Sequence, residues 1–177
     1  MAAGDNVYWR WLRGAGVSVY IVVLVMATGW FVGVTADRSV LIWAALPLPL
    51  IPIMGLHYLR PNERLAGWTV FTVWLGSTYA MTGIHNEVMV FGLYTALAVA
   101  GYYRSPWLLV VAWFIHIAWD FAPRDLPPLL ADLPVACMIF DGLIGIYLLW
   151  MVTSGRMVSP HISPSQVHVS PPERGAP

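Results

Sequence analysis

Leu133-Pro-Val-Ala-Cys137-Met-Ile-Phe-Asp141-Gly-Leu-Ile-Gly-Ile-Tyr-Leu-Leu-Trp-Met-Val152 is a run of twenty residues with one charge, and that charge lies inside it. A helix needs about 20 apolar residues to cross about 30 Å of hydrocarbon, so the run is long enough to span a membrane. Ionisable groups at that depth are costly and usually face a bundle interior where they have a task. The run therefore predicts two things together: a membrane helix, and a polar site around Asp141.

Composition extends the reading to the whole chain. Of 177 residues, 59% are hydrophobic and 10% charged, and the mean hydropathy is +0.69. A soluble domain would carry about 25% charged residues. The expected class is all-α: a polytopic helical bundle with six transmembrane segments, Gly14–Ala36, Val40–Leu59, Leu65–Ile84, Glu87–Tyr103, Pro106–Phe121 and Leu129–Val152. The fourth and fifth are short, which implies little tilt or a thinned bilayer. Residues 1–13 form an N-terminal segment, 14–152 the membrane domain, and 153–177 a tail rich in Pro and Ser that reads as disordered. The apolar run before Asp37 is too long for a typical cleaved leader, so a retained first helix is expected.

Arginine sets the orientation, because all nine basic residues are Arg. With the N-terminus inside, Arg10, Arg13, Arg60, Arg64, Arg104, Arg156 and Arg174 fall on the inner side and only Arg38 and Arg124 on the outer. Seven against two is a positive-inside bias, and it places both termini in the cytoplasm of a plasma (inner) membrane protein. Trp9, Trp11, Trp107 and Trp150 then sit near the inner interface, and Trp30, Trp43 and Trp119 near the outer one, as interfacial anchors. Pro47, Pro49 and Pro52 predict a kinked second helix, either a bent packing element or a pocket wall. Gly29-Trp-Phe-Val-Gly33 has GxxxG spacing and reads first as close helix packing within the chain. Cys137, the single cysteine, forms no intrachain disulfide and reads as a small buried hydrophobe. The zero net charge shows no nucleic-acid footprint; the expected partners are the bilayer and other membrane subunits.

The candidate site follows from heights along the helices at about 1.5 Å per residue. His116 lies roughly 16 Å above the inner boundary and Asp141 roughly 12 Å; Asp120 lies at roughly 22 Å and Glu87 at roughly 24 Å. Two tiers result, His116 with Asp141 and Asp120 with Glu87. His116 and Asp120 are also i and i+4 on one helix face, where a hydrogen bond between them would fix the imidazole tautomer. The expected catalytic set is His116, Asp120, Asp141 and Glu87, with His116, Asp120 and Asp141 as candidate ligands of a divalent metal such as Zn²⁺, Mn²⁺ or Fe²⁺. The pocket would open to the outer side, near His85 and Asp132. A structural polar clamp is the competing reading, and a Glu87 that only caps its helix is another. His57 reads as interfacial on the inner side. Asp37, Asp125 and Asp132 read as solvated, as do His161 and His168 in the tail. HExxH, GxSxG, Walker and dinucleotide motifs are absent from the sequence.

Three functions compete. One is metal-assisted or acid–base chemistry on a lipophilic substrate. The second is a small proton-coupled transporter that uses the same residues as a relay. The third is a non-catalytic accessory subunit of a larger membrane complex, with His116 as ligand to a haem or chlorophyll-type pigment.

The stretch from His85 to Leu149 resembles a family of bacterial integral membrane proteins known as a domain of unknown function. Glu87, the run Trp113-Phe-Ile-His116-Ile-Ala-Trp119-Asp120 and the run Pro134-Val-Ala-Cys137-Met-Ile-Phe-Asp141 carry the likeness, of which the W-x-x-H-x-x-W-D helix is the most specific part. The resemblance implies that Glu87, His116, Asp120 and Asp141 belong to one site. The family follows its Trp-Asp with histidines, whereas Phe121-Ala-Pro-Arg124 follows here.

Overall fold

The computed structural model describes residues 4–37, 40–80, 85–123 and 131–159, and every regular element among them is an α-helix. The helices are α1 (Gly4–Asp37), α2 (Leu41–Ala44), α3 (Leu50–His57), α4 (Pro61–Ala80), α5 (His85–Tyr103), α6 (Pro106–Asp120) and α7 (Leu133–Thr153). Two stretches are long and apolar enough to cross a membrane, Trp9–Thr35 with 27 residues and Leu133–Thr153 with 21. At about 1.5 Å per residue these measure about 40 and 32 Å. Helices α5 and α6 are apolar but shorter, and α6, with its 15 residues, reaches only about 22 Å.

The second expected segment is split rather than kinked. Pro47 and Pro49 have no N–H to donate, so the i→i−4 ladder fails at both. The backbone tightens instead, with Leu50 N bonded to Pro47 O at 3.0 Å and Ile51 N to Leu48 O at 3.1 Å. Residues 45–49 become a turn between α2 and α3.

Packing is densest between α6 and α7, between α4 and α5, and between α5 and α6. The centre is aromatic. Phe71 of α4 stacks on Trp113 of α6 and on Phe140 of α7, with centroids 6.2 and 6.3 Å apart. Trp113 Nε1 donates to the Thr72 hydroxyl at 2.9 Å, and Thr72 donates onward to Trp68 O at 2.7 Å. The indole is thereby satisfied inside an apolar core. Helix α1 is different: Ile21, Val25 and Thr28 are buried against α3 and α4, while Val19, Val22, Val23, Met26 and Trp30 are exposed. A continuous apolar face of that kind calls for an apolar surrounding.

One end of the bundle is tied by polar contacts. Arg13 of α1 holds Glu63 of α4 through two bonds of 2.6 and 3.0 Å. Arg64 Nη1 donates to His57 O at 3.0 Å, and Nη2 donates to Arg156 O, which joins the ends of α3 and α7 to the start of α4. The expected tail begins later than residue 153. Gly155, at φ +68°, takes the left-handed conformation that closes a helix C-terminus, and Arg156 N and Met157 N both return to Met151 O. Met157 is thereby only 2% exposed, in the core, and Ser159 Oγ donates to Tyr102 O at 3.3 Å. Residues 160–177, with His161 and His168, lie outside the described residues, as do Arg124 and Asp125.

Gly155→Ala should lower the unfolding midpoint in detergent by the equivalent of about 1–2 kcal/mol, the strain of an L-residue in that region; circular dichroism against denaturant would read it. The Arg13 guanidinium holds the Glu63 carboxyl below its ordinary value of 4.5. A depressed carboxyl stabilises the fold above its unfolded pKa, and that contribution is lost as pH falls through the folded value. Glu63→Gln should therefore narrow its stability gap to the parent protein as pH drops below 4.5, measured as midpoint against pH.

Candidate functional site

Helix α6 starts at Pro106, whose missing N–H costs nothing at that position, after an extended Ser105. Its buried residues, Leu109, Ala112, Trp113, His116, Trp119 and Asp120, recur every three or four positions, so the two polar residues lie on the face that meets the bundle. On α7 the buried stripe runs through Cys137, Phe140, Asp141, Ile144 and Leu148. Because α6 and α7 are the closest-packed pair, His116 and Asp141 meet. His116 Nδ1 and Asp141 Oδ2 are 2.5 Å apart, and both side chains are fully buried. Asp120, 4% exposed, completes the group: one ligand-capable atom from each of His116, Asp120 and Asp141 lies within 4.8 Å of the others.

The imidazole is thus oriented by Asp141, across the helix interface, through its Nδ1. Asp120 groups with His116 and Asp141, while Glu87, in the first turn of α5 and 6% exposed, is outside that group. Asp132 is exposed at the start of α7, as expected of a solvated residue.

A phenol joins the cluster that sequence reasoning did not find. Tyr94 of α5 is buried, with its ring 5.2 Å from that of His116 and 6.2 Å from that of Trp119. It lies within electrostatic reach of Asp141, Asp120 and Cys137. Gly76 of α4 makes its place: a Cβ there would stand 2.6 Å from Tyr94 Cδ1. The Tyr94 hydroxyl and Asp141 Oδ1 are buried and have no hydrogen-bond partner among the described residues. A tyrosine midway along an apolar helix gives no sign of this in sequence, because the facing glycine is on another segment.

The donor set suits a cation. One imidazole nitrogen and two carboxylates fit a hard or borderline divalent ion. With bonds of about 2.1 Å, a tetrahedral ion sets its ligand atoms about 3.4 Å apart, so the widest pair, within 4.8 Å here, would close by up to about 1.4 Å on binding. The orphaned Asp141 Oδ1 is the atom that would gain most, since a buried carboxylate oxygen is expensive to leave unmatched. Without a metal, the same His–Asp pair could pass a proton between its two members.

His57, by contrast, is far from this chemistry. Its Nδ1 pairs with the Tyr147 hydroxyl at 2.9 Å, six residues along α7 from Asp141, and with Arg64 it belongs to the clip toward the C-terminal end of that helix. Comparison with protein-family models, with curated proteins and with solved structures found no match.

His116→Ala would strand the Asp141 carboxylate in the interior and should cost about 3–5 kcal/mol of unfolding free energy. Joint replacement of His116 and Asp141 by Leu should recover most of that loss. Denaturant titration of the single and double variants in one detergent would check the coupling.

Proposed function

We propose that this chain is a multi-pass plasma-membrane protein with six spanning segments and cytoplasmic termini. Its interior His116–Asp120–Asp141 site binds a divalent cation and carries out metal-assisted or acid–base chemistry on a lipophilic substrate. Several observations support the membrane topology. Two helices have spanning length and apolarity, and α1 exposes an apolar face. Residues assigned to the inner side in separate segments also bond to one another: Arg13 to Glu63, Arg64 to Arg156, and Ser159 to Tyr102.

The single observation that carries the site reading is Asp141 Oδ1. It is buried, accepts no hydrogen bond among the described residues, and belongs to a group whose other members are an imidazole and a second carboxylate. His116, Asp120 and Asp141 would hold the metal, which when bound supplies a Lewis acid and an activated water. The chain's own part is to orient the ring through Asp141, to exclude bulk water with Trp113, Phe140 and Trp119, and to hold a proton on the Tyr94 phenol beside the cluster. The W-x-x-H-x-x-W-D resemblance falls on these same residues of α6 and agrees with a shared role for them.

A proton-coupled transporter is the second reading, favoured by the break between α2 and α3, since interrupted helices at membrane depth line cavities.

Elemental analysis of protein purified without chelator should find about one divalent metal per chain, lost in His116→Ala and in Asp141→Asn. Metal-free protein whose proteoliposomes show pH-driven flux, abolished by Asp141→Asn, would replace the first reading with the second.

A further inference from the structure

A cavity of about 270 Å³ opens between α1, α2, α4 and α7, and neither the metal nor the proton reading uses it. Its walls are apolar. The one hydroxyl in its lining, on Thr28, is already donated to Leu24 O at 2.9 Å. The two glycines of the GxxxG motif form the α1 wall. At Gly29 a Cβ would strike the Trp74 ring at 2.8 Å, so that indole closes one side. At Gly33 a Cβ would meet nothing within 4 Å, so the space continues there. The motif therefore shapes a void within the chain.

The α7 wall connects this void to the polar cluster. Cys137 lines the cavity and also lies within electrostatic reach of Tyr94, whose ring packs on His116. Asp141 is four residues further along α7, about 6 Å of helix rise from Cys137. An occupant of the cavity thus has one end within about one helical turn of the Asp141 carboxylate. On its far side the cavity is walled by α1, whose outer face is the exposed apolar stripe of Val22, Val23 and Met26.

We infer that this cavity holds a single unbranched hydrocarbon chain of the substrate, with the chain's polar end at the His116–Asp120–Asp141 cluster; the inference rests on the reading of that cluster as a reaction site. The shape of the occupant follows from space and chemistry. Matter at liquid density takes about 30 Å³ per small group, so the void takes roughly nine methylenes. That is one medium alkyl chain. A diacyl body or a long polyprenyl tail is too large. The apolar walls offer no partner to a polar or charged group, which would have to be buried unsatisfied. Specificity for length rests on that volume, with the Trp74 ring closing one side.

The test is photo-crosslinking in liposomes with a decyl hydroxamate that carries a diazirine at its chain end. Adducts should map by mass spectrometry to cavity residues of α1, α4 and α7. Unlabelled decyl hydroxamate should compete at least tenfold better than its hexyl or hexadecyl homologues. Gly33→Leu fills the void from α1 and Ala136→Leu from α7, and each should remove the cavity adducts while leaving the metal content of the protein as in the parent. Adducts spread over Val19, Val22, Val23 and Met26, with no preference for chain length, would mean ordinary lipid contact and overturn the inference. So would cavity adducts that persist unchanged in both filled variants. The adduct map reads only the cavity and the metal analysis only the cluster, so failure of one is distinguishable from failure of the other.

Discussion

A carboxylate cannot be carried into an apolar helix interface alone; this constraint organises the molecule around Asp141. Full burial of an ionised group costs several kcal/mol even after relaxation. The imidazole of His116 offsets it only when α6 and α7 hold one rotation and one height relative to each other. Once that register is set, other contacts follow from it. Trp113, one turn before His116, comes onto Phe71 and Phe140, and Trp119 comes onto Tyr94. The aromatic centre and the polar cluster are consecutive turns of the same two stripes.

The face of α7 changes character along its length. It begins with Ala136 and Cys137 beside an apolar cavity, passes through Asp141 in the polar cluster, and continues through Ile144 and Leu148 in the core, where Tyr147 joins the bonded clip of Arg64 and His57. Apolar and polar surroundings thus lie within about one helical turn of each other on a single helix face. The clip has a structural explanation. Arg64 satisfies the carbonyls that α3 and the chain after α7 leave open, as helix C-termini require.

The all-α architecture was readable from apolar run lengths, and the pairing of His116 with Asp141 from helix rise alone, because an ionisable residue within an apolar run can tolerate few positions. Asp120 was readable from its i,i+4 relation to His116. Other features depend on which faces meet, and a single sequence does not carry that. Glu87 matched Asp120 in height and is buried in the first turn of α5, but height alone does not say which side chains form a ligand group, and the group here is His116, Asp120 and Asp141. Tyr94 enters because Gly76 on a different segment leaves room for its ring. Pro47 and Pro49 announced a break; whether the chain bends or divides there depends on the bonds the neighbouring carbonyls can remake. The chain beyond α7 looked polar and mobile in composition, but one glycine at positive φ returns Met157 to the core.

That return has a mechanical consequence. Helix α7 is held at its C-terminal end by Arg64 on Arg156 O, by Met157 and by Ser159 against the end of α5, and near its middle by His116. It is therefore the stator of the bundle. Helix α1 has the opposite status: it meets its neighbours along a narrow strip and at the Arg13–Glu63 bridge, and turns the rest of its circumference outward. Sideways displacement of α1 would widen the void beside Gly33 without disturbing the register that keeps Asp141 on His116, so the compliant wall of the cavity and the fixed geometry of the polar cluster belong to separate parts of the fold.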